Sequence, residues 1–150
     1  MKKNILLLLF VVISTVIYGQ IENPVEWKFS SKKMSATSYE VELTASLEHG
    51  WHIYSQFTPA GGPLATSIKF SKNPLTVLKG LAEEHGTLEK NFEPLFDVEV
   101  RQFSDKVRFT QLVTVKAGIK TLLKGSVQYM VCDENHCLPA KTLNFSIPLQ

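Results

Sequence analysis

The sequence predicts an all-β protein built as an antiparallel β-sandwich. About eight short runs alternate between apolar and polar side chains, and turn-forming residues separate them at regular intervals. No segment after the N-terminal stretch has the periodicity of an amphipathic helix. Strands of this kind bury one face each, which two packed sheets provide. A small barrel is the competing architecture for the same pattern.

The N-terminal stretch predicts a secretory signal peptide. Lys2 and Lys3 precede an unbroken apolar run over residues 5–13, and small and polar residues follow. A positive region followed by a short apolar region is typical of a signal peptide and is too short for a stable membrane span. We expect cleavage of residues 1–19, a single domain over residues 20–150, and a periplasmic or secreted protein. The mature sequence contains no further apolar segment of membrane-spanning length.

The balance of charge argues against a nucleic-acid partner. The chain has 16 Lys and Arg against 14 Asp and Glu, and two of the positive residues lie in the predicted signal peptide. The mature domain is therefore formally neutral, without the basic run or basic face that nucleic-acid binding requires. No phosphate-binding glycine loop and no Ser/His/Asp arrangement is recognisable, so we expect no cofactor.

The predicted strands follow one another with turn signals between them. The clearest covers 37–47, where every second residue from Tyr39 to Leu47 is apolar and shares one face. The other predicted strands are 51–55, 67–71, 75–79, 96–103, 106–116, 126–132 and 141–147, with an irregular segment over 80–95. We expect the strands on either side of Ser104 and Asp105 to form a hairpin.

The two cysteines, Cys132 and Cys137, flank a short polar loop. The strands on both sides alternate, so residues 133–136 form a four-residue hairpin loop, which is a common length. Opposed residues then lie about 4.5 to 5.5 Å apart between Cα atoms, within reach of a disulfide. If the alternation of the flanking strands continues up to the cysteines, Cys132 lies on the outer face of the sheet and Cys137 on the inner face. We therefore expect a bulge or kink near Leu138 and Pro139, because proline cannot donate to a ladder.

Spacing alone leaves three roles open for this pair. An exported chain meets oxidising conditions, in which a disulfide persists, but a bond closing so short a loop stabilises a fold by only about 2 kcal/mol. A redox pair suits a hairpin tip, where a partner thiolate can reach the bond. A metal site could use Cys132, His136, Cys137 and His52, although the spacing is not that of a zinc knuckle. The Cys-x-x-Cys motif of thioredoxin-type enzymes is absent.

Two segments, VQYMVCDENHCLPAKTLNFSIPL and HGWHIYSQ, resemble the N-terminal periplasmic domain of the thiol:disulfide interchange protein DsbD and the related disulfide bond corrector domains. A tyrosine-containing strand, two cysteines around a short polar loop, a following proline and a Gly-aromatic-x-x-Tyr strand carry the resemblance. It covers about residues 22–149. It implies an immunoglobulin-like sandwich with an activity of the protein-disulfide reductase type. The partners it implies are thioredoxin-like and other exported thiol–disulfide proteins.

The resemblance also implies the surroundings of the disulfide. His52 and Tyr54 match positions beside the cysteines, and we expect Tyr129 and His136 of the cysteine hairpin to line the same site. Residues 90–97 match a cap loop whose aromatic side chain covers the disulfide. Phe96 is the first candidate for that aromatic, and Phe92 is the second.

Roles within the pair follow from the neighbours of each cysteine. Asp133 and Glu134 follow Cys132 and disfavour its thiolate, whereas His136 precedes Cys137 and favours a thiolate when it is protonated. The resemblance implies the same order, since the second cysteine of the family hairpin forms the mixed disulfide. We expect Cys137 to form the mixed disulfide with a partner and Cys132 to resolve it.

The last two expectations concern the electron donor and an alternative function. The full family protein continues into a membrane electron transporter and a thioredoxin-like domain, whereas this chain stops at Gln150. We therefore expect its electrons to come from a separate membrane protein. The alternative function, from a different class, is a non-catalytic immunoglobulin-like binding module with a structural disulfide.

Overall fold

The computed structural model describes residues 23–93 and 97–150, which form eleven strands. The strand bounds are β1 Val25–Lys33, β2 Ser38–Leu47, β3 His52–Tyr54, β4 Ser67–Phe70, β5 Thr76–His85, β6 Leu88–Glu93, β7 Val98–Ser104, β8 Lys106–Val115, β9 Thr121–Tyr129, β10 Val131–Cys132 and β11 Lys141–Leu149. Within these ranges no helix has the length and apolar character to cross a membrane.

The strands form three antiparallel sheets. Their orders are β1-β2-β8-β5 in the first sheet, β10-β3-β7-β6 in the second and β11-β9-β4 in the third. One apolar core joins side chains from all three sheets, among them Leu43 and Phe109 from the first, Phe103 from the second, and Val127 and Ile147 from the third. The architecture is an immunoglobulin-like antiparallel sandwich, and the predicted fold class is confirmed.

The alternation that predicted the strands is the alternation that builds this core. In β2, Val41, Leu43 and Ala45 are fully buried, and Val107 and Phe109 of β8 pack beside them without solvent exposure. Each fully buried Val, Leu or Phe side chain contributes about 1.5–3 kcal/mol of hydrophobic stabilisation. The central strands of the first sheet, β2 and β8, therefore turn alternate apolar side chains toward the other sheets.

The expected hairpin around Ser104 and Asp105 is wrong. β7 pairs with β3 and β6 in the second sheet, whereas β8 pairs with β2 and β5 in the first. Asp105, with φ of 58°, turns the chain between the sheets. Phe103 and Val107 are both buried in the common core, so the two strands face each other instead of pairing. A hairpin turn and a sheet-to-sheet turn carry the same local residues, and the sequence does not separate them.

The segment 80–95, expected to be irregular, contains the second half of β5 and the whole of β6. β5 has a register shift between Lys79 and Glu83, where Gly80 takes a positive φ of 70°. Three residues of β5 oppose one residue of β8 there, and Leu81 is left 78% exposed. A bulged edge strand loses the clean alternation from which strands are predicted.

The predicted strand 126–132 is divided at Met130. β9 ends at Tyr129 and pairs with β11 and β4 in the third sheet. β10 begins one residue after Met130 and pairs with β3 in the second sheet. This change of sheet moves the end of the strand away from β11 and sets Cys132 beside His52.

Candidate functional site

The cysteine hairpin has the predicted form. Cys132 and Cys137 oppose each other as an antiparallel bridge and are joined by a disulfide, with 4.0 Å between their Cα atoms. The amide of Asp133 donates to the carbonyl of His136 (3.0 Å), and the amide of Leu138 donates to the carbonyl of Val131 (2.9 Å). The cysteines lie between these two bonds in a non-hydrogen-bonded pair, the position at which opposed side chains come closest.

The loop is held by the carboxylate of Asp133. Its Oδ1 accepts hydrogen bonds from the amides of Asn135 and His136, both at 2.7 Å, and lies 3.0 Å from the His136 ring nitrogen. The amide bonds, first that of Asn135, lower the pKa of Asp133 below its ordinary value. The carboxylate therefore holds the loop at neutral pH, and its contribution is lost as the pH falls through the lowered pKa. Trp51 meets the His136 ring edge-on, with 5.4 Å between ring centroids.

The expected kink after the second cysteine is confirmed, and its effect on Cys137 is different from the expectation. Leu138 packs against the main core, and the residues up to Ala140 lie outside any strand before β11 begins. The period-two phase changes across this gap. Cys137 consequently lies on the same face as Cys132, which is the face of the second sheet turned away from the main core. Cys137 is exposed there, instead of pointing inward with Phe145.

The two cysteines differ sharply in exposure. Cys132 is 1% exposed and belongs to a second apolar cluster with Tyr54 and Val100, against which Val98 and Met130 pack. Cys137 is exposed to solvent. Cys137 therefore lies at the solvent-exposed end of the disulfide, while Cys132 lies among apolar side chains.

His52 and Tyr54 lie beside Cys132. His52 is the cross-strand partner of Cys132 on β3, and its Nε2 lies 3.2 Å from the Tyr54 hydroxyl. Burial lowers the pKa of His52 below 6.5, against the opposing effect of nearby carboxylates, so the ring is neutral at pH 7. Burial, with a further contribution from Glu93, raises the pKa of Tyr54 to about 12. The two rings meet edge-on, with 5.3 Å between centroids.

An acidic depression of about 530 Å³ opens on this face of the second sheet. Its carboxylate lining consists of Glu89, Glu93, Asp105, Asp133 and Glu134, and His52 is also part of the wall. The Glu89 carboxylate accepts hydrogen bonds from Gln102 (3.4 Å) and Ser104 (3.3 Å). Sequence reasoning missed Glu89 and Glu93 because β6 was expected to be irregular. The polar run Glu89, Asn91, Glu93 was the period-two signal that could have found them.

Two further predicted site residues, Tyr129 and Phe92, have other positions. Tyr129 lies in the main core, 1% exposed, with its ring 5.3 Å from that of Trp27, whereas Cys132 belongs to the second apolar cluster. Phe92 is 63% exposed and alternates with Asn91 and Glu93, so it points away from the depression that they line. Phe96 falls outside the described residues. Where the structure describes the chain, no group of three metal-ligating side chains is close enough to hold an ion.

Comparison with known families identifies the family to which the chain belongs. The family model of the N-terminal domain of the thiol:disulfide interchange protein DsbD matches residues 21–148. No curated protein matches the chain.

Three solved structures share the fold at low sequence identity. The N-terminal periplasmic domain of ScsB from Proteus mirabilis is 16% identical with a TM-score of 0.51, and the match covers 83% of this chain and 44% of that one. The reduced N-terminal domain of DsbD from Neisseria meningitidis is 18% identical with a TM-score of 0.50, over 75% and 84% of the two chains. A complex of the DsbD and PilB N-terminal domains from the same species is 12% identical with a TM-score of 0.53, and the match covers 85% of this chain and 88% of that one.

Proposed function

Since the chain belongs to the family of DsbD N-terminal domains, we propose that its Cys132–Cys137 pair relays reducing equivalents between exported thiol proteins. The observation that carries the proposal is the unequal exposure of the two cysteines, with Cys132 buried and Cys137 open to solvent. A bond that serves only as a staple gains nothing from one accessible end. A relay needs one sulfur that partners can reach and one that they cannot.

The exchange proceeds in two balanced steps. In the reduced domain the Cys137 thiolate attacks a partner disulfide, forms a mixed disulfide and releases one partner thiolate. The Cys132 thiolate then attacks the Cys137 sulfur and releases the second partner thiolate. Two electrons pass from the domain to the partner, and the Cys132–Cys137 bond is restored. The reverse sequence reduces the domain.

The partners we propose are thioredoxin-like and other thiol–disulfide proteins in an exported compartment. One structural neighbour is a DsbD N-terminal domain in complex with a PilB N-terminal domain, which supports a protein partner for this class of domain. Electrons would come from a separate membrane transporter. We propose that residues 1–19 direct export and that residues 20–150 form the working domain.

A redox titration distinguishes this relay from a binding module with a structural disulfide. Equilibration of the protein with mixtures of reduced and oxidised glutathione or dithiothreitol is expected to give a reduction potential above about −300 mV. The reason is that an accessible sulfur serves a bond that must be made and broken by other thiol proteins. Thiol alkylation followed by mass spectrometry measures the reduced fraction.

The control for the titration is far-ultraviolet circular dichroism at both ends, which is expected to show folded protein throughout. A potential well below −300 mV would contradict the relay and favour the structural-disulfide module.

A cap over the disulfide remains a proposal from the family resemblance. Glu93 and Val98 pair at the end of the β6–β7 hairpin, and Val98 packs against the cluster that contains Cys132. Phe96 lies between these two residues in the sequence. We expect Phe96→Ala to speed reduction of the oxidised protein by reduced glutathione by about threefold or more, since an aromatic side chain over the bond would exclude water and thiols from it.

Phe92→Ala is the matched control for the cap, because Phe92 lies on the same hairpin and points away from the depression. Its reduction rate is expected to equal that of the unmodified protein. Equal rates for both variants would remove the cap.

A further inference from the structure

The buried position of Cys132 creates a requirement that the exchange steps alone do not meet. Cys132 must lose its proton before it can attack the mixed disulfide at Cys137. Its surroundings are the apolar cluster with Tyr54 and Val100, and apolar burial disfavours a thiolate. A base beside Cys132 would remove this obstacle.

We propose that His52 is the proton acceptor for the Cys132 thiol in the resolving step, an inference that rests on the proposed exchange function. Cys132 and His52 are cross-strand partners in an antiparallel ladder, so their side chains stand on the same face with Cβ atoms about 4.5–5.5 Å apart. An imidazole at this separation can reach a thiol. Cys–His pairs of this kind are a general way to activate a sulfur nucleophile.

The Tyr54 hydroxyl fixes the orientation of the imidazole. It lies 3.2 Å from Nε2, and the two rings meet edge-on. Tyr54 is 3% exposed and its pKa of about 12 keeps the hydroxyl protonated over the working range. In the tautomer in which Nε2–H donates to the Tyr54 oxygen, Nδ1 is the unprotonated nitrogen left to accept the thiol proton. Tyr54 is therefore a positioning residue.

Charge around the ring suits the proton transfer. Burial keeps the imidazole neutral at pH 7, and carboxylates face it from two elements and stabilise the imidazolium once the proton has moved. The titratable groups on this face are His49, Tyr54, Glu89, Glu93, Asp105, Asp133 and Glu134. The proton goes from the Cys132 sulfur to His52, the sulfur attacks Cys137, and the partner thiolate leaves.

The test separates the two steps with 4,4′-dithiodipyridine as the oxidant. Attack by Cys137 releases one thiopyridone, and resolution by Cys132 releases a second, so a stopped-flow trace shows two phases. In His52→Gln the second phase is expected to slow at least tenfold at pH 7, a conservative figure against the roughly 10²–10⁴-fold that general acid–base catalysis typically contributes. The first phase should change less than twofold.

The pH profile distinguishes a proton acceptor from a structural residue. In the unmodified protein the second phase should be nearly flat above the lowered pKa of His52. In His52→Gln it should rise by about tenfold per pH unit as solvent deprotonates Cys132, so the deficit shrinks toward pH 9. His52→Asn should behave in the same way, and His85→Gln, on β5 of the first sheet, should match the unmodified protein.

Two outcomes overturn the assignment, and they differ from each other. If both phases occur and His52→Gln and His52→Asn keep the unmodified rate and pH profile, His52 is not the acceptor and the exchange function stands. If the unmodified protein gives neither phase, exchange itself is absent and the role of His52 is lost with it. Circular dichroism of each variant confirms that the folded protein is being measured.

Discussion

A Cys132→Ala variant is expected to form a stable mixed disulfide through Cys137 at least tenfold faster than Cys137→Ala forms one through Cys132. The reason is that Cys137 is exposed, whereas Cys132 is 1% exposed within an apolar cluster. Access and thiolate character together control the rate of thiol–disulfide exchange. Alanine at position 132 also removes the sulfur that would resolve the product.

The measurement uses a thioredoxin whose reactive cysteine is activated with thionitrobenzoate and whose second cysteine is replaced by alanine. The product appears as a band on a non-reducing gel, and released thionitrobenzoate gives the rate. In a denaturant such as urea both variants should react at nearly the same rate, because burial is then removed. Faster reaction of Cys137→Ala in the folded state would reverse the assignment of roles. Slow reaction of both would favour the structural disulfide.

The cysteine hairpin was predictable because its determinants are local. Four polar residues between two alternating runs specify a hairpin loop, and Pro139 specifies the break that follows. The disulfide and the change of phase before β11 then follow from the pairing of neighbours in sequence. The unequal exposure was not predictable, because it depends on Tyr54 and Val100 from two other strands.

The change of sheet was the main feature that local patterns could not show. Met130 and Asp105 are the points at which the chain leaves one sheet for another, and each lies within an ordinary alternating or turn-like stretch. Pairing partners distant in sequence decide the sheet to which a strand belongs. Tyr129, which was expected to line the site, belongs to the third sheet, while Cys132 belongs to the second.

Some of the residues around His52 could be predicted from the sequence, and others could not. His52 was found because its strand resembles a family motif, and the structure places it opposite Cys132. Glu89 and Glu93 were missed because they lie on an edge strand that pairs only with β7. The pairing of the two cysteines across a short hairpin loop could therefore be expected from the sequence, whereas the electrostatics around them came from strands brought together by the fold.

Gly125→Ala is expected to lower the free energy of unfolding by about 2–3 kcal/mol and the Tm by roughly 10 °C. Gly125 lies in β9 between Phe145 of β11 and Phe70 of β4. An added Cβ would lie 2.5 Å from Cζ of Phe145 and would also collide with the backbone carbonyl of Lys69. The Phe145 ring has little room to move, because it stacks on Phe29 at 5.2 Å and meets Phe70 at 5.7 Å.

The intrinsic strand preferences of glycine and alanine predict the opposite change in the free energy of unfolding, so the sign of the measured change decides between the two effects. Glycine in a strand interior is unfavourable by about 0.5–1 kcal/mol relative to alanine, so without steric contact the substitution would stabilise the fold. Ser126→Ala is the matched control, since Ser126 follows Gly125 in β9 and lies on its other face, and we expect a change within about 0.5 kcal/mol. Urea denaturation followed by circular dichroism measures both. Stabilisation by Gly125→Ala would show that Phe145 and the Lys69 carbonyl do not approach the strand as closely as the structure places them.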